Sequence, residues 1–112
     1  MSNLIQFKGG LLKFNKNQRF HSSGASVQSA AFDSDTVAII IASVAQQSQE
    51  GFIEIGANPT ATSSSFVILS SSNSSSSDSS GFTIGPIGVE AGDKIAGFNA
   101  GATYFHIMEL KY

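Results

Sequence analysis

The 112-residue chain contains no cysteine and no tryptophan, only two prolines, and 12% charged residues, about half the share of an ordinary globular protein. Without cysteine there is no disulfide framework, no thiolate zinc site and no thiol nucleophile. The longest apolar run, Thr36 to Ala45 (TVAIIIASVA), is about half of what spans a bilayer as a helix. The opening MSNLIQFKGGLLKF lacks the apolar segment and cleavage site of a secretory leader, so synthesis in a cytoplasm without export is expected. The missing charge is replaced by twenty serines, eleven glycines and small apolar residues, with nine phenylalanines as the main aromatic bulk. Hydrophobic residues at 41% support one modest core, and the length fits one domain. A surface so poor in charge is weakly protected against sticking. It suits a protein that works within an assembly better than a free enzyme.

The few charges are unevenly placed. Lys8, Lys13, Lys16 and Arg19 precede the first acid, Asp33, so residues 1–32 carry +4 and the remainder −6, for a net charge of −2. Two readings stay open: a solvated basic edge strand that discourages wrong pairing, or an arm that docks on an acidic partner or neighbouring copy. Four cations without an arginine cluster or RNA-binding motif give little support to nucleic-acid binding.

Local patterns read as strands and turns throughout. Leu4 to Lys8 and Leu11 to Phe14 flank Gly9-Gly10 as a hairpin, and Asn15-Lys16-Asn17 reads as a second turn. Ala25 to Phe32 is predicted as a strand closed by Asp33-Ser34-Asp35. Thr36 to Val44 is apolar on both alternating faces and is predicted as a central strand covered on both sides. Gly51 to Gly56, Phe66 to Leu69, Phe82 to Ile84, Ile87 to Val89, Lys94 to Phe98 and Thr103 to Lys111 complete the set, with a turn at Asn58-Pro59-Thr60. Short strands at this spacing, with no convincing helix, predict an all-β antiparallel sandwich, jelly-roll-like, of eight to ten strands. The tract Ser70 to Ser80 (SSSNSSSSDSS) has nothing apolar to bury and is predicted to be a disordered hairpin loop. The expected organisation is a basic arm over residues 1–20 and a sandwich over 21–112. The expected core is Phe32, Val37, Ile39, Ile41, Phe52, Ile53, Ile55, Phe66, Ile68, Ile84, Ile95, Phe98, Phe105 and Ile107. Phe52 lies opposite Ile53 and Ile55 in the alternation, so one face of that strand is expected at an interface.

No catalytic constellation emerges. His21 and His106 are far apart in sequence, and His106 and Glu109 fall on opposite faces of a strand. Gly85-Pro86-Ile87-Gly88 lacks the lysine and helix of a phosphate loop, and no Gly-x-Ser-x-Gly elbow occurs. The acids Asp33, Asp35, Glu50, Glu90, Asp93 and Glu109 read as turn and strand-end residues. Glu54, mid-strand, is either a solvent-facing residue or half of an ion pair with the basic arm of another subunit. No enzyme activity, cofactor, metal or small-molecule substrate is expected.

Four segments, SSGASVQSAAF (22–32), GFIEIGANPTATSSS (51–65), VEAGDKIA (89–96) and the closing FHIMEL, resemble a family of short tailed-bacteriophage proteins. Most members of that family have no assigned function, and some are regarded as virion structural or capsid-accessory proteins. The resemblance spans about residues 22 to 110. It departs where this chain has its serine tract, where Ala91 replaces a frequent proline, and over Asn3 to Arg19, which has no counterpart. It implies a capsid decoration or cement protein on the virion surface, with the major capsid protein for a partner. Copies of itself are expected as further partners, since the closing strand has apolar groups on both faces and the basic segment carries six apolar residues, and the threefold symmetry of many capsid sites points to a homo-trimer. A head-fibre or tail receptor-binding module and a tail or connector component are the alternatives. The family brings no catalytic residue. The residues expected at protein interfaces are Leu4, Ile5, Phe7, Lys8, Leu11, Leu12, Lys13, Phe14, Lys16 and Arg19 of the basic segment, with Tyr104, Met108 and Leu110 of the closing strand.

Overall fold

A computed structural model describes residues 11–45, 51–69, 80–101 and 103–112. Every regular element among them is a β-strand: β1 (Lys13–Ser22), β2 (Val27–Gln28), β3 (Ala38–Ala45), β4 (Gly51–Gly56), β5 (Phe66–Leu69), β6 (Ser80–Gly88), β7 (Lys94–Asn99) and β8 (Thr103–Lys111). They form two four-stranded antiparallel sheets, ordered β1-β8-β3-β6 and β2-β7-β4-β5. This is the all-β sandwich expected, with the strand order of a jelly roll, in which long connections alternate between the sheets.

The core lies between the sheets. Ile39 and Ile41 of β3, Phe105 and Ile107 of β8, Ile53 of β4, Ile95 of β7 and Phe32 are buried together, with Phe20, Ile55, Ile84, Ile87 and Val89 packed at the margin. Each fully buried side chain of this kind contributes about 1.5–3 kcal/mol. Phe20 stacks on Phe105 at 5.1 Å between ring centroids. Gly97 makes the room: a Cβ there would lie 2.7 Å from the Phe105 ring and 2.8 Å from that of Phe20. Of the expected core, Phe66 is exposed, while Val37 and Phe98 are only half-buried. The Ile68 side chain lies outside what is described.

Several local readings are corrected. Asn15-Lys16-Asn17 is no turn; it lies within β1, where a register shift at Asn15 bulges the strand against β8. Residues 13–20, expected as an arm, are integral to the sandwich as its edge strand. The hairpin reading of residues 4–8 and the serine tract at 70–79 fall outside the described residues. The strand expected over Ala25 to Phe32 shrinks to Val27–Gln28. Beyond it the chain still follows β7 through isolated bonds, Ser29 N–H to Ile95 O at 2.8 Å and Phe32 N–H to Asp93 O at 2.7 Å. The two short strands expected around Gly85-Pro86 are one strand, β6, with a bulge opposite Ile40. Gly85 (φ +136°) is required there, because a Cβ would sit 2.8 Å from the Ile39 carbonyl oxygen.

The Asn-Pro-Thr-Ala-Thr segment is more than a corner. Glu54, Ala96 and Gln28 form one cross-strand row on the outward side of the second sheet. From that row Gln28 Nε2 donates to Asn58 Oδ1 (2.9 Å) and to the Pro59 carbonyl (2.7 Å), and Ala61 N–H donates to Ser26 Oγ (3.0 Å). Residues 57–65 are thereby strapped over the sheet. Ala96, Phe52, Pro59 and Ala61 are buried, and Phe52 stacks on Phe98. The interface expected at the Phe52 face is not needed to bury Phe52, which is already buried within the single chain.

Candidate functional site

Among the described residues the first sheet has no such strap, and its outward side is open. The register places its residues in rows across the strands. Phe14, Leu110 and Ala38 form one row. Asn17, Met108 and Ile40 form the next, followed by Arg19, His106, Ala42 and Thr83. His21 and Tyr104 share the last. Large side chains stand on β1 and β8, whereas Ala38 and Ala42 of β3 and Thr83 of β6 are small, so the surface dips. The resulting hollow of about 530 Å³ is lined by Ile40, Ala42, Thr83, Met108, His106, Asn17 and Arg19, among others. The covering expected on both faces of the apolar strand is complete on one only: Ile39 and Ile41 are buried, whereas on the outward side Ala38 is buried but Ile40 and Ala42 are half-buried.

The ionisable groups lining the hollow are Arg19 and His106, among the neutral Asn17, Gln18 and Thr83. The Arg19 guanidinium lies 5.0 Å from the Tyr104 ring centroid, a cation–π contact that lays it along the sheet. The His21 ring packs 4.7 Å from that of Tyr104, and the His106 ring stands 6.5 Å from it. The histidines, remote in sequence, thus adjoin one tyrosine. Among the described residues no acid faces outward from this sheet. Asp33, Asp35, Glu90 and Asp93 lie in connections, Glu54 is on the other sheet, and Glu109 points inward.

Glu109, read from sequence as a strand-end solubilising residue, is fully buried. Its carboxylate accepts from Thr36 Oγ1 (2.7 Å), Asp33 N–H (2.9 Å) and Gln18 Nε2 (3.0 Å). Gln18 is itself paired with the Ala30 backbone in both directions, and Asn15 Nδ2 reaches Thr36 Oγ1 and Asp33 Oδ2. This network anchors the connection between β2 and β3 to β1 and β8. The Asp35 backbone N–H and the Asn15 amide, helped by Lys16 and Lys111, hold the Asp33 carboxyl below its usual value. Glu54 accepts from Ser65 Oγ of its own loop at 2.8 Å.

The expected interface residues divide as follows. Leu4, Ile5, Phe7 and Lys8 lie outside the described residues. Leu11 (84% exposed) and Phe14 (55%) stand out from the protein, with Lys13, Lys16, Arg19 and Met108 also exposed. Leu12 and Tyr104 are half-buried, and Leu110 is buried beside Ala38. Lys13 pairs with Lys111, which brings Leu11 and Leu12 alongside Tyr112. Ile40, Ala42 and Thr83 belong to the same surface and were not anticipated. The alternation did assign Ile40 and Ala42 to a common face; what it lacked was a sign that this face stays open.

Among the described residues no group of three or more His, Cys, Asp or Glu side chains converges as a metal site, and no described helix is long and apolar enough to cross a membrane. No protein-family model and no curated protein matches the chain. Among solved structures it is similar to CsCBM6-3 from Clostridium stercorarium, whose structure was determined in complex with cellobiose. The identity is 14%, 88% of each chain is covered, and the TM-score is 0.46.

Proposed function

We propose that this chain is a structural protein of a tailed-bacteriophage virion that decorates or cements the head. It docks on the major capsid protein through the corner where β1 begins and β8 ends. One observation carries this reading. Of six exposed large hydrophobic residues among those described, Leu11, Phe14, Met108 and Tyr112 gather on this strand pair. Lys13, Lys16 and Lys111 surround them, giving an apolar centre with a basic rim. Covering Leu11 and Phe14 would contribute on the order of 3 kcal/mol per site, since each already has part of its surface buried. A contact that weak is sufficient when several copies engage a lattice together. The resemblance to phage proteins supplies the setting.

The test uses virions of the phage that encodes the chain. Quantitative mass spectrometry is expected to count it at hundreds of copies per particle, and Phe14→Glu protein is expected not to load onto heads that lack it. A handful of copies per particle would instead indicate a tail, connector or fibre component. Full loading by Phe14→Glu would remove the corner as the docking surface.

A further inference from the structure

The hollow on the open sheet adjoins the corner assigned to the capsid, with Met108 at their border, and the same molecule carries a surface complementary to it. In the second sheet β5 is an edge strand of sequence FVIL. It bears none of the charges or prolines with which natural edges are protected. Phe66 is 59% exposed and Val67 is exposed beside it. Glu54, exposed and bonded to Ser65, lines the same surface depression as Phe66.

We infer that a second copy of this chain fills the hollow: Phe66 of one copy enters it against Ile40, Ala42 and Met108, and Glu54 of that copy faces Arg19 of the other. The inference rests on the reading of the chain as an assembly protein and names the surfaces by which copies join. Charge complementarity supports the pairing. Among the described residues, Arg19, His21 and His106 are the ionisable groups with Tyr104 on the open face, which has no acid, and Glu54 is the acid beside the exposed phenylalanine. Arg19 is already laid along the sheet by Tyr104, so less side-chain freedom is lost on pairing. Because the two surfaces differ, the contact is head-to-tail, and it closes into a ring where the rotation permits. The homo-trimer expected from the threefold symmetry of capsid sites is one such ring.

The experiment is sedimentation velocity of the full chain at tens of micromolar, without capsids. An oligomer that dissociates on dilution is expected. Arg19→Glu and Glu54→Arg are each expected to weaken association by at least about tenfold, and the double variant to recover most of the loss. Both side chains are exposed, so unchanged thermal melting of each variant serves as the folding control. A wild-type monomer, or a double variant no better than its parents, overturns the inference. Should the monomer still load heads but Ile40→Glu fail to, the hollow belongs to the capsid protein, and the inference falls while the capsid reading stands. Charge-sensitive oligomers with no affinity for heads would sink the capsid reading and leave self-association intact.

Discussion

Replacing Glu109 by glutamine changes one atom and tests whether the buried network holds the first sheet to its crossing connection. Three donors end on this carboxylate, two on Oε1 (Asp33 N–H and Thr36 Oγ1) and one on Oε2 (Gln18 Nε2). A glutamine must turn its NH₂ toward one of these places. At the first it would meet a backbone N–H that cannot rotate away. At the second it would meet the Gln18 amide, which can flip only by giving up its paired bonds to Ala30 N–H (2.9 Å) and Ala30 O (3.2 Å). Either choice exchanges a charge-assisted bond for two opposed donors, at about 1.5–3 kcal/mol. Alanine at this position leaves the Asp33 N–H and the Thr36 hydroxyl without their acceptor and Gln18 Nε2 with only the Ala30 carbonyl, at about 2–5 kcal/mol. Urea titration followed by tryptophan-independent circular dichroism should show the midpoint falling with an unchanged slope. The exchange variant Gln18→Glu/Glu109→Gln, which restores a donor facing an acceptor, should recover part of the loss. If Glu109→Gln unfolds within about 0.5 kcal/mol of wild type, the carboxylate is not what organises these donors, and the argument from the network is wrong.

Other outcomes follow from single contacts. Gly97→Ala drives a methyl group into the stacked Phe20 and Phe105 rings and should cost about 1–3 kcal/mol, measurable in the same titration. Asp33, with its folded pKa below the usual 3.8, contributes stability that is present above the unfolded pKa and lost as pH falls through the folded value. Asp33→Asn should therefore flatten the stability profile below about pH 4, and a slope there equal to that of wild type would contradict the assignment. Gln28→Ala removes two bonds from the strap over the second sheet and should cost about 1–2 kcal/mol. Limited proteolysis should then cut within residues 57–65 faster than in wild type.

The strand class and most strand positions were legible locally. Gly51–Gly56, Phe66–Leu69 and Thr103–Lys111 coincide with their predicted bounds, because alternation between flanking turns is a property of neighbouring residues. Alternation also placed Phe105, Ile107 and Glu109 on one side of β8, so the burial of Glu109 was readable in principle. What hid it was the type of the residue, since its donors come from positions 18, 33 and 36, far away in the chain. Distance in sequence accounts for the other differences too. Asn15 to Asn17 carry turn-forming side chains, but β8 alongside supplies a ladder that outweighs the local preference. Arg19, His21, Tyr104 and His106 meet only because β1 and β8 are neighbours in register. The Ile40 face reads as apolar and covered, and the Phe52 strand as having one face at an interface. That residues 57–65 would be strapped across the outward side of the second sheet, while Ile40 and Ala42 stay half-buried on the first, depended on where a loop crosses the finished sheets. Periodicity assigns a side chain to a face; whether that face meets protein or water is decided by segments that reach it only in the folded molecule.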